Sequence, residues 1–375
     1  MKKYLLLLSF FFLLLSSGRA QKNKLEIFTD KVYKIIEGDS ANPKKKYWFV
    51  LPIWGLAPET GWRLGLSLGI IFKVEHDSIT RPSLLRFNTQ FTQYHQLSVR
   101  PTVDIFFGQN KYNLKAQFIY NNFNENYWGI GNKASEVSKE NYDFKLHRLN
   151  AKLTRQVVKN LYTGFQFQYD RLFDLSFKSS SITPNSGVLG INGFTALGLG
   201  FSMAYDNRDH IYYPVHGAYI EVSNLWYNKS LLGNYSFNNL IIDARKYVCL
   251  WKKNVLAIQA YGNFNSGEVP YRLMGTMGND MIMRGYYNGR FRDHLMSAAQ
   301  VEMRKTIWGP LGMTVFAGGG QVGRDAKDLL SSIKPNYGIG FRCMMVRKEH
   351  INIRMDMGFG EGKIKGVYFT MGEAF

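Results

Sequence analysis

Apolar and polar residues alternate with a period of two along most of this chain. From Trp62 to Phe72, the residues Trp62, Leu64, Leu66, Leu68, Ile70 and Phe72 share one face, and Arg63, Gly65, Ser67 and Gly69 share the other. A helix has no face of that period, so the segment is a strand. The pattern returns at 161–170, 197–205 and 351–359, where Phe165 and Phe167 alternate with Gln166 and Gln168, Phe201 and Met203 with Ser202 and Ala204, and Met355 and Met357 with Arg354 and Asp356. Runs of about ten residues are long for a soluble strand. The second face is rich in Gly, Arg, Asp and Gln. A soluble sandwich turns its charges outward, whereas a barrel in a membrane puts apolar side chains toward lipid and polar ones toward the lumen. The alternation predicts roughly sixteen strands, from 47–53 to 366–375, an even number that leaves both termini periplasmic.

The connections fit that frame. Pro58-Glu59-Thr60 and Gly108-Gln109-Asn110 read as tight turns, and 123–143, 172–192 and 264–295 as long polar extracellular loops. Tyr47, Trp48, Tyr127, Trp128, Tyr212 and Tyr213 lie near strand ends, where an interfacial aromatic girdle is expected. In the last strand Val367, Phe369, Met371 and Phe375 fall on one face. A terminal strand ending on an aromatic is a recognition signal for the barrel-assembly machinery. Glu373 breaks that face and is expected near the periplasmic edge, in reach of water.

Composition and charge refine the picture. Lys2 and Lys3 precede an apolar run at 5–15 that ends in small residues up to Ala20, which reads as a secretory signal peptide over 1–20. The run is too short to span a bilayer. Residues 21–46 then form a short periplasmic segment, and 47–375 the outer-membrane barrel. The net charge is +19, and removing Lys2, Lys3 and Arg19 leaves +16. Apart from Lys44-Lys45-Lys46 these charges are scattered, which suits outer-membrane lipid headgroups and lipopolysaccharide rather than nucleic acid. Cys249 and Cys343 are the only cysteines, so a disulfide scaffold is excluded. They read as two packed thiols, with one bridge as the other option.

Candidate chemistry is sparse. Gly65-Leu66-Ser67-Leu68-Gly69 matches G-x-S-x-G, but alternation runs straight through Ser67, and a nucleophile elbow needs a sharp turn there. Gly318, Gly320 and Gly323 match G-x-G-x-x-G without a surrounding βαβ unit. The seven histidines show no metal-ligand spacing. No catalytic, cofactor-binding or metal-ligating residue is expected, and the chain is not read as an enzyme. Two segments stand apart. Asp206-Asn207-Arg208-Asp209 is followed by Pro214 and Gly217, a spacing that ends one strand and starts the next through a shaped turn. Met283-Arg284-Gly285-Tyr286 lies in the long connection between the eleventh and twelfth strands, flanked by apolar residues. So apolar a loop tip should be buried, here by folding into the lumen, and a buried guanidinium needs carboxylate or aromatic partners.

These elements together resemble the BamA/TamA-type outer-membrane proteins, the bacterial surface-antigen superfamily. In that family an [VIL]-R-G-[FY] tip of the sixth extracellular loop folds into the barrel. The resemblance rests on Arg284, Gly285 and Tyr286, on Asp206, Arg208, Asp209, Pro214 and Gly217, and on the ending Gly372-Glu373-Ala374-Phe375. It implies that Glu302, in Gln300-Val301-Glu302-Met303-Arg304, partners Arg284 in a loop lock. It also implies Phe369, Met371 and Phe375 as the assembly signal. Two departures follow. Gly318 stands where the family's F-x-D-x-G aspartate would be the second partner, which predicts a thinner charge network. The short stretch 21–46 is also expected to be too small for the periplasmic substrate-handling domains that precede the barrel in the family. The expected role is insertion or translocation of client outer-membrane proteins. The alternative is a barrel that serves as a pore, a lipid-contacting protein or a partner subunit.

Overall fold

The computed structural model describes residues 38–39, 42–43, 46–57, 60–75, 77, 79–135, 138–178, 187–251, 254–330, 332–347, 350–362 and 365–375. The signal-peptide reading of 1–20 lies outside the described residues, as does most of 21–46. Two units are present, Met1–Lys44 and Lys45–Phe375. In the first, Gly38–Asp39 pairs antiparallel with Asn42–Pro43.

The second unit is a closed antiparallel barrel of sixteen strands. They are β1 (Lys46–Ala57), β2 (Gly61–Phe72), β3 (Ser83–Thr92), β4 (Leu97–Phe107), β5 (Tyr112–Tyr127), β6 (Glu140–Val158), β7 (Leu161–Phe177) and β8 (Phe194–Asp206). There follow β9 (Gly217–Tyr227), β10 (Phe237–Trp251), β11 (Asn254–Gly267), β12 (Leu295–Trp308), β13 (Leu311–Gly323), β14 (Lys334–Val346), β15 (Ile351–Phe359) and β16 (Lys365–Met371). Every strand pairs with its sequence neighbours, and β16 returns to β1. The alternation sets the faces: Phe165 and Leu64 are 69% and 68% exposed on the outside, while Asp170, Glu302 and Asp356 are fully buried inside. An apolar exterior on a closed sheet suits lipid, since every backbone group can be paired without water. No helix among the described residues is long and apolar enough to cross a membrane, and the crossing elements are strands.

Four strands run well past the expected loop boundaries, β11 by running to Gly267 within the stretch 264–295 read as a loop. β5, β6 and β7 extend into stretches read as loops, because Asn124 and Asn141 hydrogen-bond across them at 2.8 Å while Tyr127, Tyr142, Phe144 and Leu172 turn inward. There they pack on Val269 and Tyr271 of the β11–β12 connection. This core claims part of the expected aromatic girdle. Tyr127 sits edge-on to Tyr271 at 5.5 Å and Trp128 to Tyr287 at 4.7 Å. Tyr47 and Tyr213 are also buried, leaving Trp48 strongly exposed.

The end of the chain differs as well. β16 stops at Met371, and Gly372, at φ 84°, turns the backbone. Phe369 and Met371 stay on the strand, but Phe375 is buried with Tyr247 and Ala257, and its carbonyl accepts from Arg304 Nη2 at 2.7 Å. Glu373 is therefore not at a watery edge. Its carboxylate is buried and accepts from Arg342 Nε at 2.7 Å and Asn352 Nδ2 at 2.8 Å. The closing ladder is the weakest in the barrel. It holds one registered pair, Leu56 opposite Val367, whereas β15–β16 runs from Ile353 opposite Met371 to Phe359 opposite Lys365. Beyond Leu56, β1 carries Pro52, which has no N–H to donate. A stacked pair, Trp54 on Phe369 at 5.8 Å, covers the next step of the seam.

Candidate functional site: an arginine anchor inside the barrel

The β11–β12 connection, residues 268–294, folds back into the barrel. A short antiparallel pairing of Gly275–Thr276 with Arg292–Asp293 closes its stem, and Gly131 bridges to Arg292 from the β5–β6 connection. At the tip, Met283 and Gly285 have φ of 54° and 109° and reverse the chain. Glycine is required at 285 by contact as well as by φ. A Cβ there would lie 2.8 Å from the Gly358 carbonyl carbon and 2.7 Å from that of Phe359. A Cβ on Gly358 would lie 2.7 Å from the carbonyl of Arg284. The tip backbone thus rests directly on β15, and two side chains would hold them apart.

That approach delivers Arg284 to the wall. Its guanidinium is fully buried. Nη1 donates to Asp356 Oδ2 at 2.6 Å and Nη2 donates to Glu302 Oε1. Phe316 lies beneath, its ring centroid 3.6 Å from Cζ, a cation–π contact in a desolvated setting. The backbone is held too. Asn336 Nδ2 donates to the Arg284 carbonyl at 3.2 Å, and the Gly285 amide donates to Tyr368 Oη at 3.1 Å. Tyr286 Oη donates to the Pro335 carbonyl at 2.7 Å and accepts from the Glu361 amide at 2.9 Å. Glu302, Phe316, Asn336, Asp356 and Tyr368 stand on β12, β13, β14, β15 and β16 in turn. One tip therefore ties together the last five strands.

Around it lies a wider charge network. Arg304 Nε donates to Glu302 Oε2 at 3.0 Å. Asp356 accepts from Arg342 Nη1 at 2.5 Å and from Arg354 Nη1 at 2.6 Å. Arg354 Nη2 reaches the loop again at the Asp280 carbonyl, 2.7 Å away. Buried charges persist only when paired and hydrogen-bonded, and the planar guanidinium fork suits that task.

The expectation of a thinner network, drawn from Gly318, is corrected. The second carboxylate is Asp356, two strands further on. Gly318 makes room instead: a Cβ there would sit 2.7 Å from both the Ala299 carbonyl and Asn336 Oδ1, the side chain that holds the tip. Sequence reading missed Asp356, Arg342, Arg354 and Tyr368. Their one signal was an inward position in alternating strands.

The second motif builds a different feature. Asp206, Arg208, Asp209, Pro214 and Gly217 shape the β8–β9 connection, which leaves the barrel at the end opposite the β11–β12 loop. Arg208 donates to Asp206 through Nε at 2.8 Å and Nη2 at 3.1 Å, and its Cζ lies 4.6 Å from the Tyr219 ring. Arg81 Nη1 reaches Asp206 at 2.9 Å. Asp209 accepts from the amides of His210, Val215 and His216 at 2.9, 3.0 and 3.2 Å. Burial pushes the Asp209 carboxyl up, but those amides outweigh it and hold it below the usual carboxylate range. Pro214 is buried in the turn. Gly217, at φ 102°, would place a Cβ 2.5 Å from the Asn207 carbonyl. Ser67 lies mid-strand in β2, and Gly318, Gly320 and Gly323 lie along β13. Cys249 and Cys343 are free thiols on β10 and β14, strands that do not neighbour each other.

Residues 58–375 match the Omp85 superfamily domain. No curated protein matches the chain. Among solved structures, BamA from Haemophilus ducreyi lacking POTRA domains 1–3 is similar at a TM-score of 0.54 and 13% identity, over 88% of this chain and 71% of that one. CdiB from Acinetobacter baumannii aligns at 0.56 and 12%, over 88% and 60%. CdiB from Escherichia coli aligns at 0.58 and 9%, over 88% and 63%. The chain spans less than two thirds of both CdiB chains. At such identities the likeness is one of fold.

Proposed function

We propose that this chain, which belongs to the Omp85 superfamily, assists the insertion or translocation of proteins at the bacterial outer membrane. The observation that carries this reading is the seam, whose ladder is the single pair Leu56–Val367. Strand edges without partners expose rows of N–H and C=O groups, and an incoming strand pairs with such an edge by β-augmentation. This work needs no bond chemistry. It needs a barrel that opens at one place and holds its shape elsewhere. The anchored loop supports the second requirement, because it binds β12–β16 into one body that ends at the seam. Client outer-membrane proteins are the partners this reading implies, with outer-membrane lipid and lipopolysaccharide around the apolar exterior.

The pore reading is disfavoured by the same loop, which occupies the lumen. Depletion of the protein followed by quantitative outer-membrane proteomics tests the proposal. Selective or broad loss of other barrels supports it. An unchanged proteome together with a large steady conductance in planar bilayers would overturn it in favour of the pore.

A further inference from the structure

A cavity of about 670 Å³ lies between the inserted loop and the wall formed by the early strands. Its charge is unbalanced. Other inward cations meet carboxylates: Arg148, also on the cavity lining, with Asp170 at 2.5 Å, Arg245 with Asp243 at 2.5 Å, and Lys152 with Glu221. Among the described residues, four arginines that line the cavity have no carboxylate partner; Arg292 donates instead to the Gly289 and Tyr271 carbonyls, and the other three are Arg63, Arg86 and Arg100. Arg63, Arg86 and Arg100 stand on β2, β3 and β4, with Arg86 opposite Gly69 and Arg100 opposite Asn88. The Nε atom of each is buried with no acceptor in reach, and none of the three is ion-paired among the described residues. Arg100 also feels the charges of Arg63, Arg86 and Arg148, against Asp280 as its acidic neighbour.

All three side chains are half-buried, and like charges gathered on one partly screened wall repel one another. Such a cluster is stable when an anion completes it. We propose that the cavity binds a phosphate-type oxyanion, free or as a lipid headgroup, through Arg63, Arg86 and Arg100. Guanidinium forks donate in pairs to phosphate oxygens. A carboxylate carries a single charge and would leave two of the three cations uncompensated. A phosphate monoester carries close to two charges near neutral pH and offers three terminal oxygens. The cavity also borders the seam. It is lined by consecutive residues of both seam strands, 51–53 and 368–371. The void therefore reaches the inner side of the seam, where β1 and β16 meet. This inference does not depend on the assembly role.

The test uses the full chain folded in a zwitterionic detergent, with thermal unfolding followed in sodium phosphate or pyrophosphate against sodium chloride of equal ionic strength. A rise in unfolding temperature with phosphate is expected, and binding by equilibrium dialysis of radiolabelled phosphate should weaken at least tenfold in the R86Q/R100Q double variant. Without phosphate that variant should be no less stable than the parent, because it relieves repulsion. Should it fail to fold, R63Q carries the same comparison. A parallel arm compares phosphatidylcholine nanodiscs containing phosphatidic acid, a phosphate monoester, with nanodiscs of phosphatidylcholine alone. Stabilisation by free phosphate in detergent assigns a soluble anion. Stabilisation confined to the phosphatidic acid nanodiscs, and lost in the variants, assigns a headgroup. No response in either arm, or an undiminished response in the variants, overturns the proposal.

Discussion

Replacing Asp356 by Asn is the sharpest test of how the loop is held. In the wild-type network four arginines (Arg284, Arg304, Arg342 and Arg354) share three buried carboxylates, those of Glu302, Asp356 and Glu373. Asp356 alone serves three of the four. Its loss leaves Arg284 with Glu302 only, and leaves Arg354 with the partly exposed Asp280 at 3.4 Å. It also sets an amide N–H₂ against guanidinium donors. Removing one partner of a buried pair costs about 3–5 kcal/mol. At about 1.4 kcal/mol per tenfold, the folded-to-unfolded ratio falls by roughly two to three and a half orders of magnitude. Arg284→Gln should cost less, about 1–3 kcal/mol. It leaves three arginines and three carboxylates, with Glu302 still bound to Arg304 and Asp356 still bound to Arg342 and Arg354. Urea unfolding in lipid vesicles, read by tryptophan fluorescence and by the heat-modifiable gel band, gives the ranking. If Asp356→Asn falls within about 1 kcal/mol of the parent, or Arg284→Gln proves the more damaging, the argument from shared carboxylates is wrong.

Three further outcomes are expected. Gly285→Ala should dislodge the tip from β15, because the added Cβ meets the backbone carbons of Gly358 and Phe359; limited proteolysis near Arg284 should accelerate, and unchanged protection would refute the contact argument. A disulfide between Leu56→Cys and Val367→Cys, in a background where Cys249 and Cys343 are Ser, should form readily, since directly opposed Cα atoms fall within disulfide range. The oxidised barrel should stay folded yet fail to complement a depleted strain, and complementation by the locked form would remove the seam from the mechanism. The depressed carboxyl of Asp209 adds stability that is present above its unfolded value of about 3.9 and is lost as pH falls through the lower folded value. Protection of the Val215 and His216 amides, measured against their intrinsic exchange rates, should therefore hold from neutral pH to about 4 and fall below it. In Asp209→Asn that acid-side change should vanish, and its persistence would point to another group.

The strands were legible because lipid selects one face residue by residue. Trp62 to Phe72 shows its orientation with no tertiary information at all. Glu302 was within reach for a similar reason, as an inward acid in the strand that follows the tip. Asp356 was not. Its neighbours Met355 and Met357 announce only that it points inward, and 72 residues separate it from Arg284. Only barrel closure and the bend at Gly285 bring the two together. Gly318 misled because a glycine in place of an expected acid reads as a lost contact, whereas here it gives Asn336 its space. The inward turn at Gly372 escaped for a different cause. Alternation continues on paper through Phe375, and a terminal aromatic satisfies the pattern equally well from inside the wall.

The two halves of the barrel are built differently, and that difference bears on how the seam moves. On the late side the tip is pinned to β12 through β16 by charge, stacking and backbone hydrogen bonds. On the early side, β2, β3 and β4 carry the unpaired arginines, and among the described residues β1 registers with β16 at Leu56 opposite Val367, beside the Trp54–Phe369 stack. A ladder hydrogen bond contributes about 0.5–1.5 kcal/mol net, and an aromatic pair about the same. Separating β1 from β16 therefore breaks fewer backbone hydrogen bonds than freeing β16 from β15, which breaks a full ladder as well as the Tyr368 contact with the loop. Under the proposed function, opening would therefore fall to β1. An anion seated against Arg63, Arg86 and Arg100 would relieve repulsion on that same early wall, and would shift the balance by as much as its affinity differs between the closed and open forms.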